Sequence, residues 1–212
     1  MVRLAACVVA GLVPVSALLS PAVAQSAALT VAATGSVARF DFDPGHTHLG
    51  FSVRHMMVTN VKGKFREFDG HVMFDSDDPT RSVVKLTIQT ASLDTDHERR
   101  DADLRSERFF DVVNHPTLAF ESTRIEKTPD GWSVTGNLTI REATKEVSIP
   151  VELIGPHASG SGQRILGVEG SLRIIRQDFG LVWNRAVENG VLVGDEVKIE
   201  IAVEARTPRP AG

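Results

Sequence analysis

From Val37 to Arg206, apolar and polar positions follow one another with a period of two. Residues 197–205 show it best. Val197, Ile199, Ile201, Val203 and Ala205 fall on one parity, Glu196, Lys198, Glu200 and Glu204 on the other, and Ala202 is the single small exception. Side chains alternate across a strand, so this pattern predicts one apolar and one wetted face. The same reading recurs at Val37–Phe42, His48–Met57, Val61–Asp75, Ser82–Ser92, Thr117–Ile125, Gly131–Ile140, Val147–Ile154 and Arg164–Ile175. Within Val61–Asp75 the parity switches, from Val61, Gly63 and Phe65 to Phe68, Gly70, Val72 and Phe74. Such a switch predicts a bulge near Arg66–Glu67.

Turn chemistry separates these runs. Asp77-Asp78-Pro79, Thr128-Pro129-Asp130-Gly131 and the Gly-Ser run at 159–162 sit between strands, and the second predicts a hairpin. Two segments break the rhythm. Asp94 to Phe110 is charged apart from Leu104, Phe109 and Phe110, and predicts a helix with Asp94, Thr95 or Asp96 as N-cap. Phe179–Glu188, ended by Asn189-Gly190, predicts a second short helix.

Many strands at short spacing with few helices imply an all-β antiparallel barrel or sandwich. One-sided strands must enclose something, either their own side chains or a ligand. About eight strands make a barrel that side chains fill or that holds one small ligand. Glycines at 50, 63, 70, 136, 167 and 170 fall inside strand runs. There they serve sharp coiling of the wall, interior space for a ligand, or both.

The first 24 residues change the picture of location. Arg3, the apolar run Val8 to Leu19 and Ala22-Val23-Ala24 have the layout of a cleaved export signal. Residues 25–36 are expected to be a flexible arm, 37–206 the barrel domain and 207–212 a frayed tail. The sole cysteine, Cys7, lies in the signal, so the exported part relies on core burial without disulfides. Without Arg3 it carries 22 basic and 27 acidic residues. That balance argues against nucleic acid or an anionic membrane surface as a partner. No stretch approaches a membrane span, so no stable membrane insertion is expected.

Candidate chemistry is sparse. His46 and His48 lie two apart with His55 near, but no third ligand appears at a recognisable metal spacing. No nucleophile elbow, P-loop or dinucleotide fingerprint occurs. Asp94, Asp96, Asp101 and Asp103 cluster beside Arg99, Arg100 and Arg105, which fits a solvated helix with internal pairs. More suggestive is aromatic bulk with few polar handles: ten Phe, two Trp and no Tyr. Phe109-Phe110, Trp132, Phe179 and Trp183 are candidates for core packing or for the wall of an apolar tunnel. His46, His48, Arg54, Arg100 and Arg105 are candidates for its polar mouth.

Four stretches in order resemble the YceI-like family: 42–75, 99–122, 136–153 and 175–183, which open on FDPGHTHLGF, RRDADLRSER, GNLTIREATK and IRQDFGLVW. The resemblance spans about 40–206. It implies an extended, eight-stranded antiparallel lipocalin-like barrel with one or two short helices, a periplasmic location and, usually, a homodimer. It implies a long apolar interior for polyprenyl phosphates, isoprenoid quinones or fatty-acid-like ligands, with no catalytic activity and no cofactor beyond the bound lipid. By position, Phe51, Phe65, Phe109, Phe110 and Phe120 are implied to face the interior or its mouth, with His46, His48, Arg100 and Asp101 around the opening. Two positions depart from the family's pattern: Asp103 stands where His is usual, and Glu142 stands where Gly is usual. The expected function is therefore carriage or sequestration of a long amphipathic isoprenoid. The alternatives are a metal-dependent enzyme at the His46/His48 end and a solid-cored, stress-linked structural protein.

Overall fold

The computed structural model describes residues 36–188 and 190–209. The expected export signal, most of the expected 25–36 arm, Asn189 and the last residues of the expected tail lie outside them. The described chain forms strands β1 (Val37–Phe42), β2 (His48–His55), β3 (Thr59–Phe65), β4 (Phe68–Asp75), β5 (Val83–Gln89) and β6 (Leu93–Asp94). One α-helix follows, α1 (Glu98–Arg105), then β7 (Thr117–Thr128), β8 (Gly131–Ile140), β9 (Ala143–Ala158) and β10 (Arg164–Ile175). A two-residue pair, β11 (Ala186–Val187) with β12 (Gly190–Val191), precedes the final strand β13 (Val193–Arg206).

The first six strands are three long strands, each interrupted once. β1 and β2 lie end to end along β13, through Asp41↔Arg206 and Phe42↔Ala205, then His48↔Ala202 to His55↔Val193. β4 and β3 lie along their other side. β5 and β6 follow along β4 and β3. Counted this way the sheet is an eight-stranded antiparallel meander closed between its first and last strands. Closure pairs the first and last strands, while β9 pairs with β10 only from Val151 onward and β3 with β6 only through Lys64 and Phe65.

The parity switch at Arg66–Glu67 is a full break between β3 and β4. There the Arg66 and Glu67 N–H groups turn to the Ser92 hydroxyl, at 3.2 and 3.0 Å. The hairpin at Thr128–Gly131 forms as its sequence predicts. Thr207 is tied to the start of β10: its N–H donates to the Arg164 carbonyl at 3.0 Å, and its hydroxyl accepts from the Arg164 N–H at 2.9 Å.

Both helix expectations need correction. α1 is shorter than 94–110, because Leu93–Asp94 pairs with β3 and His97 is the N-cap, its Nδ1 accepting from the Arg100 N–H. Phe109 and Phe110 lie in the turns after the helix. No helix forms over 179–188 among the described residues. A 3₁₀ turn at Arg176–Phe179 ends at Gly180 with φ 76°, and the chain then runs extended. Phe179, Leu181 and Trp183 are spaced by two, the period of extended chain. The carbonyls of Leu181 and Trp183 are taken by Arg176.

Two ends can be distinguished. At the first, Phe40, Leu49, Val72, Phe74, Leu166, Val203 and Ala205 pack into one cluster, with Phe40, Leu166 and Ala205 fully buried. At the second lie the β2–β3 hairpin tip, α1, the β8–β9 turn and the 176–192 segment. A second cluster forms beneath them from Phe109, Leu118, Ile140, Ile174, Phe179 and Leu181.

Candidate functional site: an apolar hollow with a latched end

The barrel is not filled across its axis. A cavity of about 220 Å³ runs inside it, from Phe42, Val72 and Val203 towards Leu181, Val193 and Val197. All eight long strands supply inward side chains, and α1 adds Leu104. Among the described residues, Arg176 is the one polar residue in the lining. The hollow removes the solid-cored alternative.

The inward parity of each strand builds this wall, and glycines shape it. A Cβ on Gly63 would stand 2.4 Å from the Phe51 ring, one on Gly70 2.5 Å from Phe42, and one on Gly136 2.6 Å from Phe120. Each glycine therefore lets a ring lie back against the wall instead of across the hollow. Strand glycine marks such close approaches. Both roles read from the sequence thus meet in one device.

Phe51, Phe65, Phe109, Phe110 and Phe120 all line the cavity. Three of them form a ladder, with ring centroids 5.8 Å apart for Phe51–Phe65 and 6.0 Å, edge to face, for Phe65–Phe110. The other candidates lie elsewhere. Phe179 is buried beneath the second end without reaching the lining. Trp183 packs on Phe109 at 5.2 Å, with the Arg108 guanidinium 5.2 Å above its ring. Trp132 packs against the Phe120 cluster under the Lys127 ammonium.

Arg100 and Asp101 act on the lid. The Arg100 guanidinium donates to the Thr95 carbonyl at 2.7 Å and to its hydroxyl at 2.8 Å. The buried Asp101 carboxylate accepts from the Thr95 N–H at 3.0 Å and from its hydroxyl. Arg105 donates to the carbonyls of Ala91, at 2.8 Å, and Leu93. Arg100 and Asp101 thus fix the start of α1 on Thr95, Arg105 ties its end to Ala91 and Leu93, and Leu104 faces the hollow. Asp103 instead faces outward and pairs with Arg108 at 3.3 Å.

His46, His48 and Arg54 belong to the outside. His48 borders a shallow outer groove with Glu152, Glu169, Lys198 and Glu200. The hydrogen bond from Lys198 holds the Glu200 carboxyl below its ordinary range. Arg54 donates to the Val58 carbonyl at 3.3 Å. His46 Nδ1 is 3.1 Å from the Asp43 carboxylate, and Asp43, His46 and Glu204 bring one ligand atom each within 4.8 Å of one another. The Arg206 guanidinium joins both carboxylates, at 3.0 Å from Asp43 and 2.8 Å from Glu204, and offsets one of their two charges. The Gly45 N–H, with His46 and Arg206, holds the Asp43 carboxyl below its usual range.

Two arginines were not anticipated from the sequence. Buried Arg176 donates to the carbonyls of Gly194 at 2.9 Å, Trp183 at 3.0 Å and Leu181, and to the Asp195 carboxylate at 3.1 Å. Burial lowers its pKa, and Asp195 opposes that shift. Arg141 donates to the carbonyls of Phe109 at 3.1 Å and Gly180 at 3.3 Å, linking both covering segments. Arg141 also takes the left-handed φ of the β8–β9 turn, 55°. Glu142 is therefore spared that conformation and points into solvent, 3.5 Å from His115.

A closed barrel wound around a greasy hollow, with a helix latched over one end, is a lipocalin-like container. A family model of the YceI-like domain matches residues 40–205, and the chain belongs to that family. A UPF0312 protein of Pseudomonas aeruginosa is 38% identical over 162 residues, covering 76% of this chain and 85% of its own. One from Serratia proteamaculans is 37% identical over 143 residues, covering 68% and 74%. Among solved structures, Burkholderia cenocepacia BcnA superposes with a TM-score of 0.68 at 24% identity, over 77% of this chain and 98% of that one. A polyisoprenoid binding domain from Saccharophagus degradans gives 0.57 at 13% identity, over 81% and 99%, a likeness of fold.

Proposed function

We propose that this protein carries or sequesters one long-chain amphipathic lipid, an isoprenoid such as a polyprenyl phosphate or quinone or a fatty-acid-like molecule, in the periplasm. The observation that supports this most is the cavity wall, which is apolar on every strand and extends towards both ends. Each methylene buried there recovers about 0.8 kcal/mol, and the contacts have no direction. Selection is therefore by length and girth, and only weakly by tail identity. The wall offers one buried cation, Arg176, whose donors are already engaged. The polar head is accordingly placed outside the hollow, at the latched end.

The neighbour described as a polyisoprenoid binding domain supports the same reading. On this account the protein binds without turning over. Organic extraction of protein purified from its host, followed by mass spectrometry, tests the proposal. A stoichiometric long-chain lipid is expected, and repeated recovery of none would overturn it. Elemental analysis of the same sample addresses the metal-enzyme alternative. A stoichiometric metal lost on His46→Ala or His48→Ala would favour that alternative.

A further inference from the structure

We propose that the cargo's tail enters and leaves the hollow sideways, through a seam between β9 and β10 that no backbone ladder closes. The two strands pair from Arg164↔Ala158 to Gly170↔Val151. Both run on past that point. β10 stays paired with β13 as far as Ile175↔Glu196, and β9 stays paired with β8 back to Ile140↔Ala143. Across 143–150 and 171–175 they do not pair with each other. Continued register would set Ser148 opposite Arg173 and Glu146 opposite Ile175.

Pro150 ends the ladder. The two-residue turn at Arg141-Glu142 makes Ile140 and Ala143 a hydrogen-bonded pair, and bonded pairs then alternate along β8 and β9. Val147, Ile149 and Val151 therefore bond with β8, while Ser148, Pro150 and Glu152 turn their backbone groups towards β10. Proline has no N–H to give, and within a sheet it belongs at an edge. The first donor beyond Val151 is thus missing. Among the described residues, no backbone bond outside the ladders uses the N–H groups of Thr144, Glu146, Ser148, Arg173 or Ile175.

The inner face of the seam belongs to the cavity. Val147, Ile149, Leu172 and Ile174 all line the hollow. Apolar side chains alone close it, so parting them breaks no ladder bond. At its foot, Pro150, Gly170 and Ser171 border the outer groove, so that point is reached from outside. At its head the 176–181 segment caps it. Phe179 packs with Ile140 and Ile174, Gly180 turns the chain at φ 76°, and Arg141 holds the Gly180 carbonyl. From Ser171 to Ile175 the seam is roughly 16 Å long, at about 3.3 Å per residue. A tail laid in along that length passes by its width. A tail fed through the end must be threaded over its whole length. The route rests on the carrier reading, because it has meaning only for a cargo.

Hydrogen exchange on the ligand-free protein reads the seam without any cargo. The amides of Thr144, Glu146, Ser148, Arg173 and Ile175 should exchange far faster than those of Glu152 and Glu169, which pair across the laddered part. Equal protection overturns the seam. The route is read by closing it. Cys7 is the chain's only cysteine, so Ser148→Cys/Arg173→Cys in a Cys7→Ser background can be bridged by a short bismaleimide after folding. Uptake and release of two probes, parinaric acid and a dansyl-labelled geranylgeranyl chain, should both slow about tenfold with equilibrium affinity unchanged, because a gate acts on both rates alike. The same bridge at Glu152→Cys/Glu169→Cys should leave both rates as they were. Exchange at the unbridged rate across the closed seam, or equal slowing by the second bridge, overturns the route. The two readings fail separately. Binding of neither probe refutes the carrier, while amide exchange still decides the seam. Binding with exchange indifferent to the bridge refutes the route and keeps the carrier.

Discussion

The two ends of this barrel are closed by different physics. The Phe40 end is closed by interdigitated apolar side chains. The Phe40 and Phe74 rings meet edge to face at 6.0 Å, and the Arg164 guanidinium sits 5.3 Å above the Phe40 ring. The opposite end is closed by arginines donating to backbone carbonyls: Arg105 to 91 and 93, Arg141 to 109 and 180, and Arg176 to 181, 183 and 194. Opening a packed cluster exposes apolar area and leaves voids. At the second end Phe109, Phe179 and Leu181 also pack into an apolar cluster, and opening it would in addition exchange the arginine bonds for bonds to water, at a net of about 1 kcal/mol each. The two ends thus differ in what holds them: side-chain packing makes a floor, and arginine-to-carbonyl bonds added to packing make a cover.

Substitutions can break this comparison. Phe40→Ala should have the largest effect, a loss of about 3–5 kcal/mol in stability with little change in the rate of lipid release. Denaturant unfolding and stopped-flow displacement of a fluorescent lipid read the two quantities. Arg176→Met should cost about 3 kcal/mol, because it strands buried carbonyls, and should also speed release. An equal effect of both variants on release would erase the distinction between floor and cover.

Gly63→Ala tests the hollow itself. The new methyl drives the Phe51 ring off the wall and into the cavity, at a cost of about 1–3 kcal/mol. Equilibrium titration should show affinity for long chains falling about tenfold, a loss of about 1.4 kcal/mol, while chains too short to reach Phe51 are unaffected.

The smallest expected effect is on acid stability. The Asp96 N–H and Arg66 hold the Asp94 carboxyl below its ordinary range. Thr80 and Arg81 do the same for Asp78. Asp75 is lowered too: burial pushes it up, but the Asp78 N–H, Ser36, the Asp77 N–H and Arg81 outweigh it. A carboxyl depressed in the fold contributes stability above its unfolded pKa and loses it as pH falls through the folded value. Melting temperature should hold near neutrality and decline below about pH 4. Asp94→Asn should flatten part of that decline.

Much of the barrel was legible in the chain because strand parity is a local signal. Phe51, Phe65 and Phe120 sit on the apolar parity of their runs, and they reach the hollow. The tie between Thr128 and Gly131 was equally local. What could not be read depends on long-range partners. Arg176 comes just after β10, two residues past inward-facing Ile174, but a cation at that position reads as solvated until the carbonyls that surround it are known. The 179–188 segment reads as a helix until Arg176 removes the carbonyls of Leu181 and Trp183 from reach. Arg100 and Asp101 lie in a motif around the opening, yet their bonds go to Thr95, five and six residues upstream in the chain. His46 and His48 look like a pair in the sequence. In the fold one meets Asp43 and the other borders a groove on the outer wall.

A length series tests the central claim most directly. Isoprenoid and saturated chains with the same headgroup are titrated by calorimetry against the ligand-free protein. The hollow predicts affinity rising several-fold with each added methylene, by about 0.8 kcal/mol, then levelling once the chain spans the cavity, with only small differences between tail types. Affinity indifferent to chain length, and set by the headgroup alone, would contradict it.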